Sequence, residues 1–446
     1  MQGPGPPHRP QPKATPLPRL PALLAARLPF YYGWIIVACV CCAGFARQGP
    51  AVATLSIFIS PMTAEFGWSR TAISGAVSLG GLLAAFGSPL LGPILDRRGA
   101  RLMLCSAVLV TGTAVMALSQ TSSLVMFYVL FCLARMTFAG PFELGIYGAL
   151  ANWFVERRPL ATSIVTLAQM SGLVAMPLIA HVAMLHHGWR AGWLVVGAVV
   201  LVVGFVPNWL MMVRRPEDMG LVPDRRQTDN GADSRPAPPP EPAFTRAEAM
   251  RTPTFWLLSL FTALIFPVQA GVSLHQAPHL IERGLDPTVA ATVISAFSLT
   301  SAISGLAFGV IARRLPTALL LALSGGLLGG GAGLMIGVLA APHAYLAAVV
   351  FGLGMGGVLT ILPVAWADYF GRSSFGAIRG AALTVQVLSQ ACGPVLSGVL
   401  RDWTGDYTLS LQCFAALGGL SILAALLTRT PAPPAAAASP SRPPAH

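Results

Sequence analysis

Apolar residues run along this chain in long blocks separated by short polar turns. A block of about 20 apolar residues is long enough to cross a bilayer as a helix. Twelve such spans can be drawn, over residues 33–59, 70–95, 101–119, 123–151, 160–184, 190–212, 254–279, 288–312, 317–340, 343–367, 377–400 and 407–428. Alternating short segments, the pattern of a membrane barrel, are absent, and only helices or closed barrels satisfy their backbone groups inside lipid. The expected fold is an all-α membrane protein with twelve transmembrane helices in two six-helix bundles. The first span is too long for a signal peptide and no small-residue cleavage site follows it.

The polar intervals give the organisation. Residues 1–28 are rich in proline and arginine and read as a disordered cytoplasmic tail. Residues 29–213 form an N-terminal bundle, 214–252 a cytoplasmic linker ending in a short surface helix, 253–428 a C-terminal bundle, and 429–446 a second disordered tail. The halves read as repeats. "GPILDRRGAR" between spans 2 and 3 is matched by "GVIARRLPTA" between spans 8 and 9, with Gly92 and Gly309 217 residues apart. "NWFVERR" is matched by "DYFGRSS", with Phe154 and Phe370 216 residues apart. Two loops giving nearly one offset argue for a duplicated unit.

Composition and charge sharpen this picture. Charged residues make up 10% of the chain, far below the quarter usual in soluble domains. The net charge of +12 does not point to nucleic acid. With both termini in the cytoplasm, 22 of the 28 basic residues fall on cytoplasmic segments, Arg372 and Arg379 of the span 10–11 loop among them, and four on the outer loops. That asymmetry is the positive-inside pattern. The seven cysteines all lie within spans without a CxxC pair, so neither a metal site nor a disulfide framework is expected.

The residues Gly92, Asp96, Arg97, Gly99 and Arg101 match G-x-x-x-D-R-x-G-x-R, which resembles the signature of the major facilitator superfamily. The resemblance implies that this loop ties neighbouring helix ends together and helps hold the outward-open state. Arg313 and Pro316 replace the acid and a glycine in the second copy, so a weaker or absent latch is expected there. "YYGWII", "EFGWSRTAIS", "NWFVERRPLATSI", "RRPEDMGLVPD", "RTPTFWLL", "DYFGRSSFGAIRG" and "DWTGDYTLS" are similar to the bacterial monocarboxylate-porter-like branch, which includes oxalate/formate exchangers. The likeness covers nearly all of residues 31–428. Members of that branch carry a charged site in span 8, and the oxalate exchangers a lysine in span 11. Here span 8 is uncharged and span 11 has glutamines, so the C-terminal half is expected to bring no cation.

Ionisable groups at bilayer depth are functional candidates by default. Arg47 lies in span 1 between Gly44 and the Gly49–Pro50 pair, where the helix can break. Arg135 lies deep in span 4. A guanidinium suits a carboxylate because it donates two parallel hydrogen bonds, and the alternative is an arginine bonded to carbonyls or paired with Glu143. Glu143 is the one carboxyl expected within a span, hence the proton-coupling candidate. Gln269 and His275 of span 7, and Gln386 and Gln390 four apart on span 11, complete the candidate substrate-binding set. His279, nearer the outer surface, and Gln169, Ser295 and Ser298 are further candidates. The glycine runs of spans 9 and 10 lack the Gly-Lys-Ser/Thr of a phosphate loop and suit close helix packing.

These readings converge on a secondary transporter working by alternating access, with a small organic anion, a mono- or dicarboxylate, as substrate, and protons or a counter-anion as the coupled partner. No cofactor, metal, nucleic acid or catalytic constellation is expected. The expected setting is a monomer in the bacterial inner membrane. The alternatives are an efflux permease for amphipathic compounds, for which an acid-rich site would be expected, and a non-transporting membrane sensor on the same fold.

Overall fold

The computed structural model describes residues 19–224 and 242–432. Fourteen α-helices follow one another: α1 Arg19–Arg27, α2 Gly33–Ala46, α3 Val52–Phe66, α4 Arg70–Ala117, α5 Leu124–Ala139, α6 Pro141–Trp153, α7 Arg158–Met211, α8 Arg246–Arg251, α9 Pro253–Glu282, α10 Pro287–Ile311, α11 Thr317–Ile336, α12 Ala341–Phe370, α13 Phe375–Thr404 and α14 Thr408–Leu426. Among the described residues nine stretches are long and apolar enough to cross a membrane, and α2 and α3 are shorter apolar helices.

The twelve expected spans map onto these helices through backbone breaks. Gly99 (φ +82°) and Gly188 (φ +75°) turn the chain sharply inside α4 and α7, so each carries two spans. A positive φ is open to glycine without a Cβ penalty. The first span divides into α2 and α3 around Arg47–Pro50, and the fourth into α5 and α6 at Gly140. Pro50 lies in the first of these two breaks and Pro141 follows the second, each removing a backbone donor.

One expectation about the ends changes. The N-terminal tail is not disordered up to residue 28, because residues 19–27 form α1. Its Leu24 and Ala25 pack on the core, which supplies an apolar contact that proline content does not reveal. The linker's end does form a helix, α8. Thr245 and Glu248 cap it reciprocally, and the backbone N–H of Thr245 holds the Glu248 carboxyl below its ordinary range. The disorder expected of residues 1–18 and 433–446 lies outside the described residues.

The two loops that the offset equates meet each other. Arg158 of the 4–5 loop pairs with Asp368 of "DYFGRSS", 2.5 Å away. Arg372 of "DYFGRSS" donates to the carbonyl of Asn152 in "NWFVERR", at 3.1 Å. Asn152 and Asp368 are equivalent under the 216-residue offset, so each repeat's loop grips the other's. The glycine runs pack helices closely: Gly331 lies against the backbone of Phe351, and Gly329 against Gly418.

The halves meet on the face that carries the linker. There α4 lies against α13 almost backbone to backbone. A methyl on Gly92 would overlap the carbonyl of Gly376, and one on Gly380 would stand 2.6 Å from the carbonyl of Ser88. The Asp96 carboxylate accepts from the N–H groups of Gly376 and Ala377 at 2.7 and 2.8 Å, capping α13 from the opposite half. Further up, Thr384 donates to the carbonyl of Ala85. Of the other motif residues, Arg97 is exposed and Arg101 stacks on Trp209. Gly99 leaves room for Arg214, which crosses it and donates to the Asp96 carbonyl.

Candidate functional site

Two helix breaks build the site. Arg47 ends α2, and its buried side chain crosses to the break between α5 and α6. Its Nε donates to the Phe138 carbonyl at 2.9 Å and its Nη1 to Gln169 Oε1 at 2.8 Å, and Nη1 forms an ion pair with Glu143 Oε2 at 2.8 Å. Glu143 sits in the first turn of α6, where the helix dipole favours an acid. Gln169 in turn approaches the Tyr147 hydroxyl at 3.5 Å.

The other carboxylate oxygen of Glu143 faces the C-terminal half. Arg379 of α13, 1% exposed, reaches Glu143 Oε1 at 3.2 Å with Nη2, which also donates to Gln386 Oε1 at 2.6 Å. The acid therefore bridges two arginines and joins the two halves. Arg379 Nε and Nη1 are buried without a hydrogen-bond partner.

Arg135 stands beside this triad. Its guanidinium lies 4.2 Å from the centre of the Phe138 ring, and that of Arg47 lies 4.4 Å from the same centre. Both are within cation–π range. Arg135 Nε and Nη1 are also buried without partners. Three guanidinium groups thus gather around one carboxylate. Removing a charge from water costs several kcal/mol per ion unless it is paired, so this arrangement is short of negative charge.

A sequence profile matches over residues 34–394, with a second match over 279–445, and that profile describes the Major Facilitator Superfamily. The chain belongs to that superfamily. Among its relatives within the superfamily, human monocarboxylate transporter 11 is 26% identical over 395 residues, spanning 85% of this chain and 79% of that protein. Rat monocarboxylate transporter 2 is 23% identical, spanning 84% and 78%. These relatives are transporters, not enzymes. The solved Major Facilitator Superfamily transporter FucP, in the outward conformation, superposes with a TM-score of 0.67 at 10% identity, over 90% of this chain and all of FucP. That likeness shows the twelve-helix fold. The chain is thus a multi-pass membrane protein of the monocarboxylate-transporter-like kind.

Within this superfamily fold the candidates separate. Arg47, Arg135, Glu143 and Gln386 come together. Gln390 donates to Gln269 at 3.0 Å, joining α13 to α9. His275 stands six residues further along α9, roughly 9 Å, stacked on Tyr407. His279 is buried, with Nε2 2.8 Å from the Met335 carbonyl. Ser295 and Ser298 bond back to their own helix.

The alternative of an arginine bonded to a carbonyl and paired with Glu143 holds for Arg47 and not for Arg135. Two expectations are corrected. Arg379 does not belong to the 10–11 loop. It is fully buried inside α13, so one charge leaves the linker side and the asymmetry persists. The C-terminal half accordingly does bring a cation, and Glu143 pairs with two arginines, Arg47 and Arg379, with Arg135 beside them. Arg379 carried a signal in sequence: it precedes Gln386 by seven residues and Gln390 by eleven, the spacing of one helix face.

Proposed function

We propose that this chain is a secondary active transporter that moves a small organic anion, a mono- or dicarboxylate, across the bacterial inner membrane by alternating access. Both termini lie in the cytoplasm, so the contacts on the linker face close the cytoplasmic side. The excess of three buried guanidinium groups over one carboxylate carries this reading. The donors left unbonded on Arg135 suit a substrate carboxylate, and Arg47 adds its Nη2, for which no protein bond is found. Gln269, Gln386 and Gln390 form the polar wall on the C-terminal side, and His275 stands on the approach. The named monocarboxylate transporters among the relatives support the same substrate class. Glu143, the acid of the cluster, carries the proton if the coupling is to protons; exchange against a counter-anion is the other mode. The functional unit is one chain.

The test is uptake of radiolabelled pyruvate, lactate and malonate into proteoliposomes after a pH jump. Uptake by the native chain is expected, with a loss of at least about tenfold in Arg135→Gln, since a charge-assisted hydrogen bond contributes ~1.5–3 kcal/mol, and a comparable loss in Arg47→Gln. No carboxylate uptake by a folded native chain would overturn the reading. An undiminished rate in both variants would remove the arginines from it.

A further inference from the structure

No other residue of the cluster combines the three features of Arg379. It is sealed from solvent, it comes from the C-terminal half, and it holds two buried nitrogens with no hydrogen-bond partner. All five of its N–H groups are obligate donors, and unmade hydrogen bonds of a buried charged group are costly. Its Nη2 is fixed by Gln386 at 2.6 Å, which orients the fork. Its remaining partner is the far oxygen of Glu143 at 3.2 Å, a looser contact than the 2.8 Å from the other oxygen to Arg47. The charged and polar groups around Glu143 are Arg47 from α2, Arg379 from α13, Gln169 from α7 and Tyr147 on its own helix, with Arg135 of α5 beyond Arg47. None of them adds a second acid.

We propose that Arg379 is the C-terminal half's anchor for the substrate carboxylate, and that Glu143 occupies its place while the site is empty. This rests on the anion reading above. A substrate carboxylate takes the place of Glu143 at Nη2 and adds a bond from the unbonded nitrogen beside it, and Glu143 withdraws to Arg47. The same substrate reaches Arg135 on the other side, so a bound anion is held by both halves at once. Arg379 is then the residue through which occupancy of the site is felt by the half that must move.

The experiment is counterflow of labelled pyruvate and malonate at equal pH on both sides, which requires no net proton movement. Native chain, Arg379→Gln, Arg379→Lys and Glu143→Gln are compared, each checked for monodisperse elution and native helical circular dichroism. Arg379→Gln is expected to raise the half-saturating concentration at least about tenfold. Arg379→Lys should fall between, because an ammonium lacks the planar fork. Glu143→Gln should lower the half-saturating concentration several-fold, since it removes the competitor. A structural brace would behave otherwise, and either of two results overturns the proposal while leaving the anion reading intact: Arg379→Gln and Glu143→Gln shifting affinity in the same direction, or Arg379→Gln changing only the maximal rate. If Arg379→Gln fails to fold, the opposed shifts of Arg379→Lys and Glu143→Gln decide the question. A native chain that exchanges neither compound overturns both readings together.

Discussion

The two interfaces between the halves descend from one repeated pattern yet are held differently. At the first, α4 meets the start of α13, and Asp96 caps that helix across the boundary. At the second, α10 meets the start of α7. Gly309 there stands 2.5 Å from Ser163 Oγ and 2.9 Å from the Pro159 carbonyl, measured from an added methyl. The repeat offset equates Gly376 with a position at or next to Pro159, and Asp96 with Arg313. Pro159 has no N–H to offer, and Arg313 is exposed. The residues leading into α7 are instead capped by Asp224 of the linker, whose carboxylate accepts from Val155, Glu156 and Arg157. One helix start takes its N–H cap from the opposite half and the other takes it from the linker. A transporter that must open on this face gains a cap that breaks on opening at one interface only.

The comparison can be broken most strongly at Gly92. Gly92→Val drives a side chain into the Gly376 backbone, and overpacking costs ~1–3 kcal/mol. Spin labels at exposed positions 98 and 313 should report a population shifted away from closure, with transport reduced about tenfold or more. Asp96→Ala comes next. Loss of the cap should weaken closure by about 1 kcal/mol, seen as a several-fold change in the same distance populations. Asp224→Ala removes a cap of similar strength, but the effect should appear as a lower melting temperature with the inter-label distances unchanged. If Asp224→Ala shifts the distances as Asp96→Ala does, the contrast between the interfaces is wrong.

Smaller effects sharpen the same contrast. Gly309→Ala meets the Ser163 Cβ at 2.7 Å and the Pro159 carbonyl at 2.9 Å, a shallower clash than the overlap of Gly92→Ala with the Gly376 carbonyl, so its effect on closure should be the smaller of the two in the same measurement. Arg313→Asp restores an acid at the second copy, but no N–H groups wait for it. The change should stay within about 0.5 kcal/mol, as for an exposed position. A clear gain in closure from Arg313→Asp would show that the second interface keeps a hidden capping site.

Much of this molecule follows from local sequence. Each span is a window of about 20 residues whose cost in lipid is set by its own composition, so the spans, the duplicated halves and the superfamily motif are legible directly. Arg47 and Glu143 are legible as well, because a charge inside an apolar window stands out. Asp96 is legible as a motif residue, and its receiving helix is not.

What only the tertiary structure decided is which charges meet. Glu143 and Arg379 are 236 residues apart, and no local rule brings them together. Arg379 reads as a loop residue because it lies near the start of an apolar block. A long side chain displaces its charge by several ångströms from its backbone, so depth along the sequence does not fix the depth of the charge. The pairing of Glu143 depends on the break at Gly140 and on the contact of α13 with the other half. The sequence by itself determined the membrane architecture, because burial in lipid is a local property. The tertiary structure decided the charge balance of the site, because pairing between buried ions depends on distances that only the packed helices set.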